Sequence, residues 1–138
     1  MEPRVSLITL GVSDLERALG FYRGLGWTVA FENDTTAFID LSGVVLALFN
    51  REALAEDMKR PCEGTGAVAL AHNLGSEAEV DALFVRALAA GAQPLKAPCR
   101  AEWGGYSGYF ADPDGHAWEV AHNPYWTILA DGRIRMSV

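Results

Sequence analysis

The strongest constraint on the fold is that the chain nearly repeats itself. Sliding the second half back by 72 residues places Phe110 on Phe38, Asp112 on Asp40 and Gly115 on Gly43. Trp118 then falls on Leu46 and Val120 on Leu48. Each copy reads as strand, tight turn, strand. A repeat of this kind predicts architecture, because each copy must be one supersecondary unit. One pair breaks the match in chemistry: Glu119 falls on Ala47.

The rest of each copy supports the same unit. Residues 5–12 alternate, with Ile8, Leu10 and Val12 on one face and Leu7, Thr9 and Gly11 on the other, as in a strand. Asp14 is an N-cap residue for a helix over 14–24, stopped by Gly24-Leu25-Gly26. Phe21 and Tyr22 belong to the core side of that helix. Strands are predicted over 27–31, 36–41 and 44–49, with Ser42-Gly43 as a hairpin turn. A short helix over 52–59 and a polar, glycine- and proline-containing stretch follow. The pattern then restarts: a strand over 67–74, a helix over 77–90 ended by Gly91, and strands over 93–97, 106–111 and 116–122. The loop over 98–105 carries Trp103-Gly104-Gly105. Module one spans about 4–50, a linker about 51–65, and module two about 66–123. A tail over 124–138 lies outside the repeat, with a turn at Asp131-Gly132 and a short added strand over 134–138.

Composition narrows the class. The 138 residues suit one compact domain. The net charge is −7 with no basic cluster, which argues against nucleic acid or an anionic membrane as partner. No apolar run approaches the roughly 20 residues that cross a bilayer, and residues 1–4 carry no basic, apolar leader pattern. Cys62 and Cys99 show no paired spacing and are expected reduced, in a cytoplasmic protein.

Asp112-Pro113-Asp114-Gly115, followed by Glu119, carries a resemblance, together with Ile8-Thr9-Leu10-Gly11-Val12-Ser13-Asp14-Leu15, Phe21-Tyr22 and Gly24-Leu25-Gly26-Trp27. The chain resembles the glyoxalase, bleomycin-resistance and extradiol-dioxygenase (vicinal oxygen chelate) superfamily over about residues 5–123. The resemblance implies an α+β fold. Two βαβββ modules would curl an eight-stranded mixed sheet around a cup-shaped cavity, with helices outside and homodimerisation expected. It also implies a test. Metal-dependent members place His, Glu, His and Glu in the cup. By position these would be Leu7, Ala47, Ala67 and Glu119. Leucine and alanine offer no donor, and one carboxylate holds a divalent metal weakly. No cofactor is therefore expected, and a divalent metal is disfavoured. His72, His116 and His122 all fall off the face of Glu119, which disfavours a rebuilt His/Glu set, and Glu119 is the metal ligand if there is any.

Glu119 lies between Ala117 and Ala121 on one strand face, and a carboxylate there requires a partner or a ligand. Leu7, Thr9, Ala47 and Ala67 leave space, and space with one polar group suits a small organic molecule. Trp103 is a further ligand-binding candidate. Tyr106 and Tyr109 point to opposite faces, and Tyr109 is the better candidate to hydrogen-bond Glu119. Glu119 as base and Tyr109 beside it are the candidate catalytic residues. Three readings follow: a metal-free binding protein for a small molecule; a lyase, isomerase or dioxygenase using Glu119 as base; and an assembly or regulatory protein with no working pocket.

Overall fold

The structure, a computed structural model, describes residues 1, 3, 5–64, 66 and 68–136. The chain divides into two compact units, Met1–Gly66 and Ala67–Val138.

The first unit runs β1 (Leu7–Val12), α1 (Leu15–Gly24), β2 (Val29–Glu32), β3 (Thr36–Asp40), β4 (Val45–Asn50) and α2 (Arg51–Met58). Its sheet has the order β1-β4-β3-β2, with β1 parallel to β4 and the other pairs antiparallel. The second unit runs β5 (Ala69–Asn73), α3 (Glu77–Ala89), β6 (Gln93–Arg100), β7 (Tyr106–Ala111), β8 (Ala117–His122), β9 (Trp126–Ile128) and β10 (Ile134–Met136). Its main sheet has the order β5-β8-β7-β6, again with only the first pair parallel. The α+β class and the paired βαβββ modules are therefore found, as two four-stranded mixed sheets. No helix among the described residues is long and apolar enough to cross a membrane.

Local chemistry accounts for the elements. The Asp14 carboxylate accepts the Arg17 N–H at 3.0 Å and so caps α1. Phe21 and Tyr22 are 1% and 0% exposed, and Tyr22 stacks on Trp27 with ring centroids 5.5 Å apart. Asn50 caps α2 by accepting the Glu52 and Ala53 N–H groups at 3.1 and 3.0 Å. Ser76 caps α3, and its hydroxyl also donates to Glu79 at 3.2 Å. Val80, Phe84 and Ala87, at helical spacing, are the buried stripe of α3.

The repeat extends to turn chemistry. Asp40 Oδ1 accepts the Ser42 N–H at 2.8 Å, and 72 residues on Asp112 Oδ1 accepts the Asp114 N–H at 2.9 Å. Both are Asx turns. Gly43 and Gly115 follow with φ of 129° and 87°, where a β-carbon would be strained. Asp112 is the stronger of the two. It is 1% exposed and also accepts the His116 N–H at 2.9 Å.

Strand ends differ in places from the sequence expectation. β1 begins at Leu7 and β5 at Ala69, two residues later than expected in each case, and Ala67 lies outside the described residues. β6 runs on to Arg100 through Pro94 and Pro98. It is an edge strand, where proline's missing N–H need not meet a neighbour. Gly108 on β7 lets this irregular strand come close. A β-carbon there would sit 2.8 Å from Pro98 N and 2.9 Å from Lys96 O. The added strand of the tail covers Ile134–Met136 and pairs antiparallel with β9, closed by a turn in which Leu129 N–H donates to Arg133 O at 2.9 Å.

Asp112→Ala leaves two backbone N–H groups without their side-chain acceptor, so it should cost about 1–3 kcal/mol of stability. Asp112→Asn keeps a carbonyl oxygen there and should cost clearly less. Urea denaturation of the two variants checks the order.

Candidate functional site

β8 alternates its side chains, and its two neighbours fix which face is which. Tyr106 on β7 donates its hydroxyl to Asp81 of α3 at 2.7 Å. The face carrying Tyr106, Gly108 and Phe110 is therefore the helix-covered face. Trp118 and Val120 pair with Phe110 and Gly108 on that face and are buried. Glu119 belongs to the other face. Its cross-strand partners are Tyr109 on β7 and Ala71 on β5.

Tyr109 thus stands directly opposite Glu119 across the strand pair. Burial pushes the Tyr109 phenol above its ordinary value, and the negative charge and hydrogen bond of Glu119 raise it further. The neutral, donating phenol is the form this site stabilises.

Around Glu119 a hollow of about 330 Å³ opens within the second unit. Its strand walls are Ala71 and Asn73 from β5 and Ala121 from β8, with Asn123 just beyond. The indoles of Trp103 and Trp126 border it. Among these lining residues Glu119 is the only ionisable one. Asn123 Oδ1 accepts the Tyr125 N–H at 3.0 Å, and Trp126 N–H donates to Asn123 O at 3.2 Å, so this turn delivers Trp126 to the rim.

Trp103 is held by the absence of a side chain. A β-carbon on Gly105 would meet the Trp103 ring at 1.8 and 1.9 Å and the His122 carbonyl oxygen at 2.8 Å. On Gly104 (φ 95°) it would meet the Tyr125 hydroxyl at 2.7 Å. The two glycines let an indole and a phenol lie against bare backbone.

The other candidates belong to the first unit. Leu7 pairs with Val45, and Thr9 with Ala47, which in turn opposes Phe38. Leu7, Thr9 and Ala47 therefore share one face of that sheet, as the alternation predicts. Position by position, the donor set is sparse. Leu7 stands seven residues before the helix cap Asp14, and Ala69 stands seven before the cap Ser76. Leu7 also pairs with Val45 as Ala69 pairs with Ala117, 72 residues on. Ala69, not Ala67, is thus the counterpart of Leu7. The correction leaves the chemistry unchanged, since alanine offers no donor. His72 is in register with Val120 and His122 with Tyr106, both on the helix-covered face. His122 Nδ1 also lies 3.0 Å from the Leu74 carbonyl oxygen. Among the described residues no group of three or more His, Cys, Asp or Glu side chains is placed to hold a metal. The family's usual metal does not fit the residues present at its usual positions.

Ala71, Asn73, Ala121, Asn123 and Trp126 extend the candidate list. The first four are readable, because Ala121 and Asn123 continue the alternation from Glu119 and Ala71 and Asn73 follow from the parallel register. Trp126 carried no such signal.

Residues 4–120 match the sequence profile of the glyoxalase/bleomycin resistance protein/dioxygenase superfamily. Metallothiol transferase FosB of Shouchella clausii (strain KSM-K16) is 32% identical over 118 residues, covering 84% of this chain and 77% of that one. Among solved structures, a glyoxalase-related enzyme from Fulvimarina pelagi is 43% identical, with a TM-score of 0.94 over 99% of both chains. A glyoxalase/bleomycin resistance protein/dioxygenase from Nocardioides is 28% identical, with a TM-score of 0.74 over 88% of this chain and 84% of that one.

Glu119→Gln removes the charge beside Tyr109 while leaving its burial. The phenol's pKa should fall toward the ordinary value of about 10 without reaching it. Absorbance titration of the phenolate, with Tyr109→Phe as the blank that isolates this one tyrosine, checks it.

Proposed function

The chain belongs to the glyoxalase/bleomycin resistance protein/dioxygenase superfamily, and we propose that within it this protein binds a small molecule in the hollow around Glu119 without the family's usual metal. The observation that carries the reading is the lining. A hollow of about 330 Å³ falls in the size range of small-molecule sites, which combine apolar walls with a few placed polar groups. Here the walls are alanine and tryptophan, and the placed groups are Glu119 and Asn73, with Asn123 shaping the rim. Leu7 and Ala47, at the family's metal-ligand positions in the first unit, carry no metal-binding atom. The alanines matter as space: a larger side chain at Ala71 or Ala121 would fill the hollow beside the carboxylate.

A second reading has one observation in its favour. The likeness to metallothiol transferase FosB supports a metal-dependent enzyme, read here as a lyase, isomerase or dioxygenase that would use Glu119 as base with a divalent metal weakly bound. Tyr109 fits either reading. In the first it orients Glu119 as an acceptor for the ligand. In the second it steadies one carboxylate oxygen of Glu119 and leaves the other free to take up the substrate's proton.

The same proposal includes a cytoplasmic homodimer, with no nucleic-acid or membrane partner. Exposed apolar side chains on the edge strands, Phe31 on β2 and Leu95 on β6, support association, because unpaired edges are commonly covered.

A fragment screen by NMR on ¹⁵N-labelled protein tests the binding reading. Hits should shift the amides of residues 71–73 and 119–123, and Glu119→Gln should weaken the polar hits by about tenfold, the scale of one charged hydrogen bond. A screen with no hits at these amides, or hits indifferent to Glu119, contradicts it.

A further inference from the structure

The chemistry of the hollow goes further than its size. Its lining holds one carboxylate, two amides, two indoles and no cationic side chain. Lys96 is the nearest basic residue in the strand register. It pairs with Tyr109 on the far side from Glu119, one strand further out on the sheet edge, and does not line the hollow. The cross-strand neighbours of Glu119 are Tyr109 and Ala71, both uncharged, and among the described residues no ion pair to Glu119 occurs.

The two indoles are unusual in their exposure. Trp103 and Trp126 are 47% and 37% exposed. Neither is a core residue. Each is set in place by a local device: the bare backbone of Gly105 under Trp103, and the Asn123 turn that brings Trp126 to the rim. Tryptophan presents the most electron-rich face of the aromatic side chains, and a cation over that face is attracted to it. An anion would meet the Glu119 charge, and a neutral apolar molecule would leave that charge facing nothing.

We propose that the hollow is selective for a small organic cation, an ammonium-type group held between the Trp103 and Trp126 faces and the Glu119 carboxylate. The inference rests on the reading of this hollow as a ligand site and adds its specificity. Ala71 and Ala121 leave room for the cation's substituents. Asn73 supplies an amide to a polar group carried by the same ligand, while Asn123, whose Oδ1 holds Tyr125 N–H, is committed to shaping the rim.

The test compares cations with neutral molecules of the same shape. Choline is paired with 3,3-dimethyl-1-butanol, and benzylammonium with benzyl alcohol, at pH 7. The readout is the set of tryptophan indole N–H signals, four in this chain, assigned through Trp103→Phe and Trp126→Phe. In both pairs the cation should bind about tenfold more tightly, as expected for cation–π contacts with partial desolvation, and should shift the Trp103 and Trp126 signals. Glu119→Gln should lower the preference and leave the part that the indoles supply. Trp103→Ala should weaken the cations more than the alcohols, with signal dispersion confirming that each variant is folded. Equal binding of cation and alcohol at the same two indoles overturns the cation preference and leaves the hollow standing as a ligand site. Absence of binding by all four probes overturns the preference as well, and failure of the fragment screen at the same amides would then remove the site itself.

Discussion

The register of one hairpin decides what this protein presents to a ligand, and a buried carboxylate decides that register. Asp112 holds the N–H groups of Asp114 and His116, so β7 and β8 are joined without slack. With the turn fixed, Tyr109 must oppose Glu119, and Phe110 must oppose Trp118. A slip of one residue would exchange the faces. It would put Glu119 under α3 and Trp118 in the open. The large apolar residues of this hairpin on the helix-covered face therefore enforce the placement of the acid on the other. The core and the site are two faces of the same alternation.

The internal repeat gives that placement its meaning. The two modules share strand order, parallel first pair, Asx turn and left-handed glycine. They differ where chemistry would be. Ala47 is 1% exposed and stands where the second module has Glu119. Leu7 and Ala69 are counterparts, and neither carries a donor. At the family's usual donor positions only Glu119 carries an oxygen donor, and Tyr109 stands opposite it across β7 and β8. The surroundings of Glu119 are those of an acceptor in a small hollow, with tryptophans at its rim.

Much of this was legible in the sequence. The repeat predicted both modules, and period-two alternation predicted the faces of Leu7, Thr9, Ala47, Tyr109 and Glu119. Three features were not legible, each for a physical reason. The pattern points to Ala67 as the counterpart of Leu7, because the segment before β5 has no periodicity to anchor it; the helix cap Ser76 is the anchor, and it selects Ala69. The pattern ends β6 at Ala97, where Pro98 opens a loop, whereas the strand continues to Arg100 with a register shift between Lys96 and Cys99. Trp126 falls in the tail, because the turn at Asn123 and the β9–β10 hairpin have no copy in the first module. A side chain positioned by a non-repeating turn is invisible to an argument from repeats.

The central claim is that Glu119 works as a ligand-binding carboxylate and not as the remnant of a metal centre. Elemental analysis of untagged protein, joined to anomalous diffraction from crystals grown with zinc, nickel or manganese, tests it most directly. The account predicts sub-stoichiometric metal and no anomalous peak within coordination distance of the Glu119 carboxylate. A stoichiometric metal with a full-occupancy peak on Glu119 would contradict it.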